Sequence, residues 1–187
     1  MNKYTCHSGG CAGADMFWEN EGFKYGVKTI AYSFYNHKQD SKNQKILTVD
    51  ELNEGFLHVM IANKILKRYP QGQPRYIQNL LARNWYQVLN SEAVFAIGKF
   101  KTKTIIDGGT GWAVQMSIDN NKPVFFFDQP TNCWYRYLWD NHLYGVYTFE
   151  PVIESPKLSE NFAGIGTREL TDNGKKAIIE VYKHTFA

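Results

Sequence analysis

Apolar and polar positions change period several times along the chain, and each change predicts an element. Lys3 to His7 reads as a short first strand. It enters the turn Ser8-Gly9-Gly10-Cys11-Ala12-Gly13-Ala14-Asp15. Ala12 to Glu21 follows as a helix that offers Met16, Phe17 and Trp18 as apolar surface, with Gly22 as its stop. Val27 to Tyr32 reads as a second strand, so the chain opens as a βαβ unit. Ser33 to Leu47 is polar and reads as a loop. Thr48 and Asp50 are N-cap candidates for a helix with Leu52, Phe56, Val59, Met60 and Leu66 at helical spacing, broken by Tyr69-Pro70-Gln71-Gly72. Pro74 to Asn90 repeats the period with Ile77, Leu80, Leu81, Trp85 and Val88.

Ala93 to Ile97 is a compact apolar strand. A lysine-rich connection leads to Thr104 to Ile106, read as a strand that feeds the turn Asp107-Gly108-Gly109-Thr110-Gly111 and a helix from Trp112 to Asp119. Pro123 to Phe127 is apolar without alternation, as in a strand covered on both faces. Trp134 to Tyr147 is aromatic and reads as irregular. Phe162 to Ile165 is a last strand before Gly164-Ile165-Gly166-Thr167-Arg168-Glu169, and Leu170 to His184 closes the chain as a helix with Ala177, Ile178 and Val181 inward. Strands alternating with helices predict an α/β fold, a mainly parallel sheet between two helical layers, in one domain over residues 1–187.

Glycine turns at the carboxyl ends of parallel strands meet where open α/β sheets bind ligands. The first N–H groups of each following helix lack internal partners, and the helix dipole favours negative charge there. Three such turns predict a phosphate-bearing ligand. Composition changes this picture little. At 43% hydrophobic and 21% charged the chain reads as a globular protein. Aromatics, at 16%, predict a large aromatic core and leave some rings for a pocket that stacks on a base. A net charge of +3 is too small for a nucleic-acid partner, and Lys99, Lys101 and Lys103 read as a solvated loop. Without a membrane-length apolar run or a signal-peptide core, a cytoplasmic location is expected. Cys6, Cys11 and Cys133 match no zinc spacing, even with His7 beside Cys6, and read as reduced thiols with no metal site.

Taken together, Ser8-Gly9-Gly10 with Gly13-Ala14-Asp15, Arg83-Asn84, Gly108-Gly109-Thr110-Gly111-Trp112, Lys122-Pro123-Val124 with Asp128-Gln129, and Ala163 to Arg168 resemble the SLOG superfamily of Rossmann-like nucleotide-binding proteins. Its small stand-alone members include some named as molybdenum-cofactor carriers and others from bacteria and phages without an assigned function. The resemblance implies a ligand such as an ADP-ribose derivative, an NAD-related or cyclic signal, or a cytokinin-type nucleotide. In a phage it implies sequestration of a host-defence signal. It also implies a dimer or tetramer. The LOG branch hydrolyses the N-glycosidic bond of nucleoside monophosphates with an Arg, a Gly-Gly-x-Gly-Thr turn and a Glu on the next helix. Arg83, Gly108, Gly109 and Gly111 match; Trp112 stands at the Thr position and Gln115 at the Glu position. A neutral amide neither activates water nor stabilises an oxocarbenium ion well, so hydrolysis by that route is disfavoured, although Gln115 can still bond a ribose.

Residue roles follow from these readings. Ser8, Gly9, Gly10 and Gly13 approach a phosphate or pack the turn. Asp15 caps its helix, with a ribose contact as second choice. By the resemblance, Arg83 is expected to clamp phosphate if it faces the turn, with Asn84 beside it. Gly108, Gly109, Thr110 and Gly111 form the central cradle. Trp112 is either core or a ring against a base. Asp128 and Gln129 sit at a strand's carboxyl end, as ribose contacts do. Gly164, Gly166, Thr167 and Arg168 complete the phosphate site. Glu169 and Asp15 are the candidate acids if the protein is an enzyme, and His7, Tyr35 and His37 are outlying candidates. The alternatives to a nucleotide binder are that hydrolase and a carrier of molybdopterin, whose phosphate and flat ring suit the same turns.

Overall fold

The computed structural model describes residues 3–139 and 148–187. The chain runs β1 (Thr5–Ser8), α1 (Ala14–Lys24), β2 (Lys28–Ser33), β3 (Gln44–Ile46), α2 (Val49–Leu66), a 3-10 turn (Pro70–Gly72), α3 (Arg75–Leu89), β4 (Ala93–Gly98), α4 (Thr110–Asp119), β5 (Val124–Asp128), β6 (Cys133–Leu138), β7 (Thr148–Val152), β8 (Asn161–Gly166) and α5 (Asp172–Phe186). The eight strands of the described residues form one sheet in the order β3-β2-β1-β8-β4-β5-β6-β7. From β3 to β5 every pairing is parallel, and β6 and β7 close one edge as antiparallel strands. This is an α/β fold with a mainly parallel sheet.

Apolar side chains on the two sheet faces make two cores. Trp18, Phe95, Phe127, Phe162, Ile178 and Tyr182 lie on the side of α1 and α5. Tyr32, Val59, Trp85, Met116 and Phe126 lie on the side of α2, α3 and α4. Every residue of β4 is buried, which explains its unbroken apolar sequence. Local signals fix several ends. Thr48 makes a capping box with Glu51 at the start of α2, and Thr171 caps α5.

Several expectations need correction. The polar stretch Ser33 to Leu47 contains β3, a short edge strand paired to β2, whose exposed residues leave no apolar alternation to read. The aromatic stretch from Trp134 is not irregular in its described part: β6 pairs with β5 and β7, and rings on both of its faces obscure the two-residue period. The rest of that stretch, residues 140–147, lies outside the described residues. Thr104 to Ile106 is not a strand; Ile106 makes only an isolated bridge to Phe100. Gly22 does not stop α1, which continues to Lys24. A Cβ there would lie 2.7 Å from the Tyr182 hydroxyl, so this glycine lets α5 approach.

Candidate functional site

Three neighbouring parallel strands, β1, β8 and β4, end at the same edge of the sheet. The loops that follow them meet α3 around a cavity of about 450 Å³. That volume is in the range of small-molecule sites.

The deepest part is a buried polar cluster. Asp15, 6% exposed, accepts a hydrogen bond from the Gly166 N–H at 3.1 Å, and its other oxygen lies 4.0 Å from Arg83 Nη2. Burial pushes the Asp15 carboxyl up to about 6, against the pull of the Arg83 charge and the Gly166 N–H. Asp15 therefore does not cap α1, whose N-cap, Gly13, has no side-chain partner. It ties the first turn to the third. Arg83 donates through Nη1 to Gln87 Oε1 at 3.3 Å and through Nη2 to Cys11 Sγ at 3.3 Å. Among the described residues, Arg83 Nε and Gln87 Nε2 have no hydrogen-bond partner, although both are buried and both residues line the cavity. Such donors are costly to leave unmatched. Cys11 Sγ also lies 3.5 Å from His37 Nε2, and His37 Nδ1 lies 3.0 Å from Ser33 Oγ. Burial pushes the Cys11 thiol up. Burial, helped by the Arg83 and Arg168 charges, pushes the His37 imidazole down to about 4. Thiol and imidazole are thus both neutral near pH 7.

The central turn forms the opposite wall. Gly108 has φ +62°, a conformation that favours glycine, and a Cβ on Gly108 or Gly109 would meet nothing within 4 Å. Gly109 is the N-cap of α4 and no side chain caps that helix. Arg68, just past α2, holds the turn by donating to the carbonyls of Gly108 at 2.7 Å and Ile106 at 2.6 Å. Lys99 and Asp107 pair at 3.5 Å on the rim. The third turn contributes Gly166, Thr167, Arg168 and Glu169, the last two exposed.

Thus Asp15, Arg83, Asn84, Gly108, Gly109, Thr110, Gly166, Thr167, Arg168 and Glu169 come together around one cavity. Other expected residues are used differently. Ser8 is fully buried and accepts from the Gly10 N–H. Arg83 fills the space over Gly9, and Gln39 fills the space over Gly10. Gly13 is pressed against the Arg168 backbone, Gly111 against the Ile106 carbonyl, and Gly164 against Trp18. Trp112, 5% exposed, belongs to the core. Gln115 is buried and donates to Asp119 at 2.9 Å. Asp128 accepts from the N–H groups of Phe100 and Thr131, and Gln129 braces Thr171 and Glu169. His7 pairs with Tyr32 at 3.1 Å, and Tyr35 is 84% exposed. No aromatic side chain is among the described residues lining the cavity, so the expected stack of a base on rings has no counterpart there; Ile77, Leu80 and Leu81 are the large apolar side chains of α3 in the lining. Sequence reasoning missed Gln87, although it lies one helical turn from Arg83 and so on the same face. It also assigned no ligand role to Cys11, inside the first turn itself.

No family model matches the chain, and no curated protein matches it. A solved structure named "Putative molybdenum carrier protein", from Syntrophus aciditrophicus SB, shares the fold with a TM-score of 0.54 over 98% of this chain and 94% of that one, at 13% identity. No helix among the described residues is long and apolar enough to cross a membrane.

Proposed function

We propose that this protein binds a phosphate-bearing, nucleotide-like small molecule in the cavity between the central turn and α3. The observation that carries this reading is the pair of buried donors without partners, Arg83 Nε and Gln87 Nε2, on residues that line a cavity bordering the uncapped start of α4. Charge alone does not carry it. Arg83, Lys99 and Arg168 are matched by Asp15, Asp107 and Glu169 around the same space. Directed N–H donors therefore supply the preference for an anion, as at other helix starts. The aliphatic side chains of Ile77, Leu80 and Leu81 offer a flat wall for the remainder of the ligand.

A thermal-shift panel of inorganic phosphate, nucleoside monophosphates, ADP-ribose and NAD tests the reading. A ligand selective for the folded state raises the melting temperature. The expected result is a rise with at least one phosphate compound that vanishes in Gly109→Glu, which sets a carboxylate at the start of α4 where a side chain has room. Indifference to the whole panel would overturn it. The carrier alternative, a phosphorylated pterin, is a ligand of the same description, with its phosphate on the same donors. Native mass spectrometry of freshly purified protein separates pterin from nucleotide by mass.

A catalytic reading rests on Asp15, whose carboxyl, at about 6, can carry a proton close to neutrality beside the cavity. Glu169 stands on the rim as a second carboxylate. Release of free base from a nucleoside monophosphate, lost in Asp15→Asn, is the result that would favour hydrolysis over binding alone.

A further inference from the structure

Cys11 stands in the first turn and lines the same cavity as the donors that carry the binding reading. Its Sγ is 3.3 Å from Arg83 Nη2 and 3.5 Å from His37 Nε2. The other ring nitrogen, His37 Nδ1, is 3.0 Å from Oγ of the fully buried Ser33. A nucleophile within reach of a base, with that base oriented by a third group, is the arrangement that activates a cysteine for attack. For the thiol to pass its proton to His37 Nε2, the imidazole must carry its own proton on Nδ1, and Ser33 Oγ accepts a hydrogen bond from that position. The sheet brings these residues together. Cys11 follows β1, Ser33 ends β2, and the two strands pair in parallel, so both run out at one edge.

Arg83 joins this thiol to the phosphate donors. Nε and Nη2 point from the same edge of a guanidinium, the edge that oxyanions take. Here Nε is without a partner, while Nη2 faces the Cys11 sulfur, with an Asp15 oxygen at 4.0 Å. A phosphate held by Arg83 Nε and Gln87 Nε2 therefore lies next to the sulfur. The space above Gly9 holds both the Arg83 guanidinium and the Asp15 carboxyl, so a proton carrier stands beside the same position. We propose that Cys11 is the nucleophile of a phosphomonoester hydrolase, with Arg83 holding the phosphoryl group, Asp15 serving the leaving oxygen and His37 taking the thiol proton. This rests on the reading that the cavity binds a phosphate-bearing ligand.

The thiol and the imidazole are both neutral near pH 7, so attack and proton transfer go together. Cys11 Sγ attacks the phosphorus as its proton passes to His37 Nε2. The S–P bond forms, the P–O bond to the nucleoside breaks, and the leaving oxygen takes the proton of Asp15. Water then attacks the phosphocysteine and gives a proton to the Asp15 carboxylate. The S–P bond breaks, and the sulfur regains its proton from His37. The sum is a phosphomonoester and water going to an alcohol and inorganic phosphate, with every protein group restored. Arg83 faces the charge on the phosphoryl oxygens, and such positioning and electrostatics supply most of the catalysis in phosphoryl transfer.

Release of inorganic phosphate from nucleoside monophosphates and from para-nitrophenyl phosphate tests this, measured beside the melting-temperature shift with inorganic phosphate. The expected products are phosphate and an intact nucleoside. Cys11→Ser is expected to abolish release and keep the thermal shift. His37→Asn is expected to lower kcat by about a hundredfold with KM little changed, the mark of a lost proton acceptor. Asp15→Asn is expected to slow nucleoside monophosphates by about a hundredfold, yet to keep the first burst with para-nitrophenyl phosphate, whose leaving group departs without a proton. Acid-quenched Asp15→Asn protein then carries phosphate on the Cys11 peptide. Circular dichroism confirms that each variant folds. A thermal shift without phosphate release, release that survives Cys11→Ser, or free base in place of inorganic phosphate would overturn the hydrolase and leave the binding reading standing. Neither shift nor release would overturn both.

Discussion

Gly9, Gly10 and Gly13 follow β1, and Gly108 and Gly109 precede α4. Both runs are glycine turns between a sheet edge and a helix, yet they spend the missing side chains differently. In the first turn the chain's own groups occupy the space: the Arg83 guanidinium over Gly9, the Gln39 amide over Gly10, and the Arg168 backbone against Gly13. The start of α1 is also closed, because the Ala14 N–H donates to the Thr167 carbonyl at 3.0 Å. In the central turn nothing lies within 4 Å of where a Cβ would stand on Gly108 or Gly109. One turn is a packing joint and the other faces open space. The residue that separates them, Arg83, arrives from a distant helix. A glycine motif therefore states that backbone must come close to something, and leaves open whether that something is protein.

The largest effect that sharpens this contrast is expected at Gly13. Its φ is +98°, and a Cβ would lie 2.5 Å from the Arg168 Cα. Gly13→Ala should cost about 3 kcal/mol through backbone strain and overpacking, read from urea unfolding. A loss below about 1 kcal/mol would show that the joint yields easily.

An intermediate effect concerns pH in the polar cluster behind the first turn. Asp15 has a folded-state value of about 6 against an ordinary 3.8. The folded state thus holds this proton more tightly, so ionising Asp15 costs stability. The cost is absent below 3.8, grows as pH rises to about 6, and reaches about 3 kcal/mol. His37 has the opposite sign. Its value falls to about 4 from 6.5, so its cost is absent above 6.5 and grows as pH falls toward 4. Its partial exposure reduces the size of that cost. In the wild type the two slopes oppose each other. Asp15→Asn should make stability rise more steeply with pH between 4 and 6.5, and His37→Asn should make it fall. Urea midpoints at several pH values compare them; parallel slopes in the two variants would contradict the assignment.

The smallest effect is expected at the open turn. Gly109 has a helical φ of −64°, so Gly109→Ala should alter stability by less than about 1 kcal/mol. The contrast with Gly13→Ala in the same urea assay is the point: comparable losses at both sites would erase the distinction between the turns.

Much of the fold could be read in the residues. Unbroken apolar runs marked β4 and β5, and Thr48 marked the start of α2. The edge strands were harder. β3 carries no buried residue, and β6 has rings on both faces, so neither shows a two-residue alternation. For the site, the loops were legible because glycine spacing marks a backbone constraint. Side-chain direction was not. Trp112 and Gln115 follow the central glycines closely, yet both are buried outside the cavity lining, Trp112 in the core and Gln115 on Asp119. Arg83 stood out only through resemblance, and its partner Gln87 required attention to the helix face they share.

The position of β8 has a consequence for how the molecule assembles. It lies near the end of the chain, yet it is inserted between β1 and β4. Until residues 161–166 arrive, the strands before them form two separate ribbons, β3-β2-β1 and β4-β5-β6-β7, that share no ladder. Joining them requires closure over most of the chain, the kind of long-range step that slows folding. Because Gly166 supplies the N–H that Asp15 accepts, the step that unites the sheet also completes the site. Residues 5–152 alone therefore hold two ribbons with no shared ladder, and a truncation before Asn161 would remove the strand that joins them.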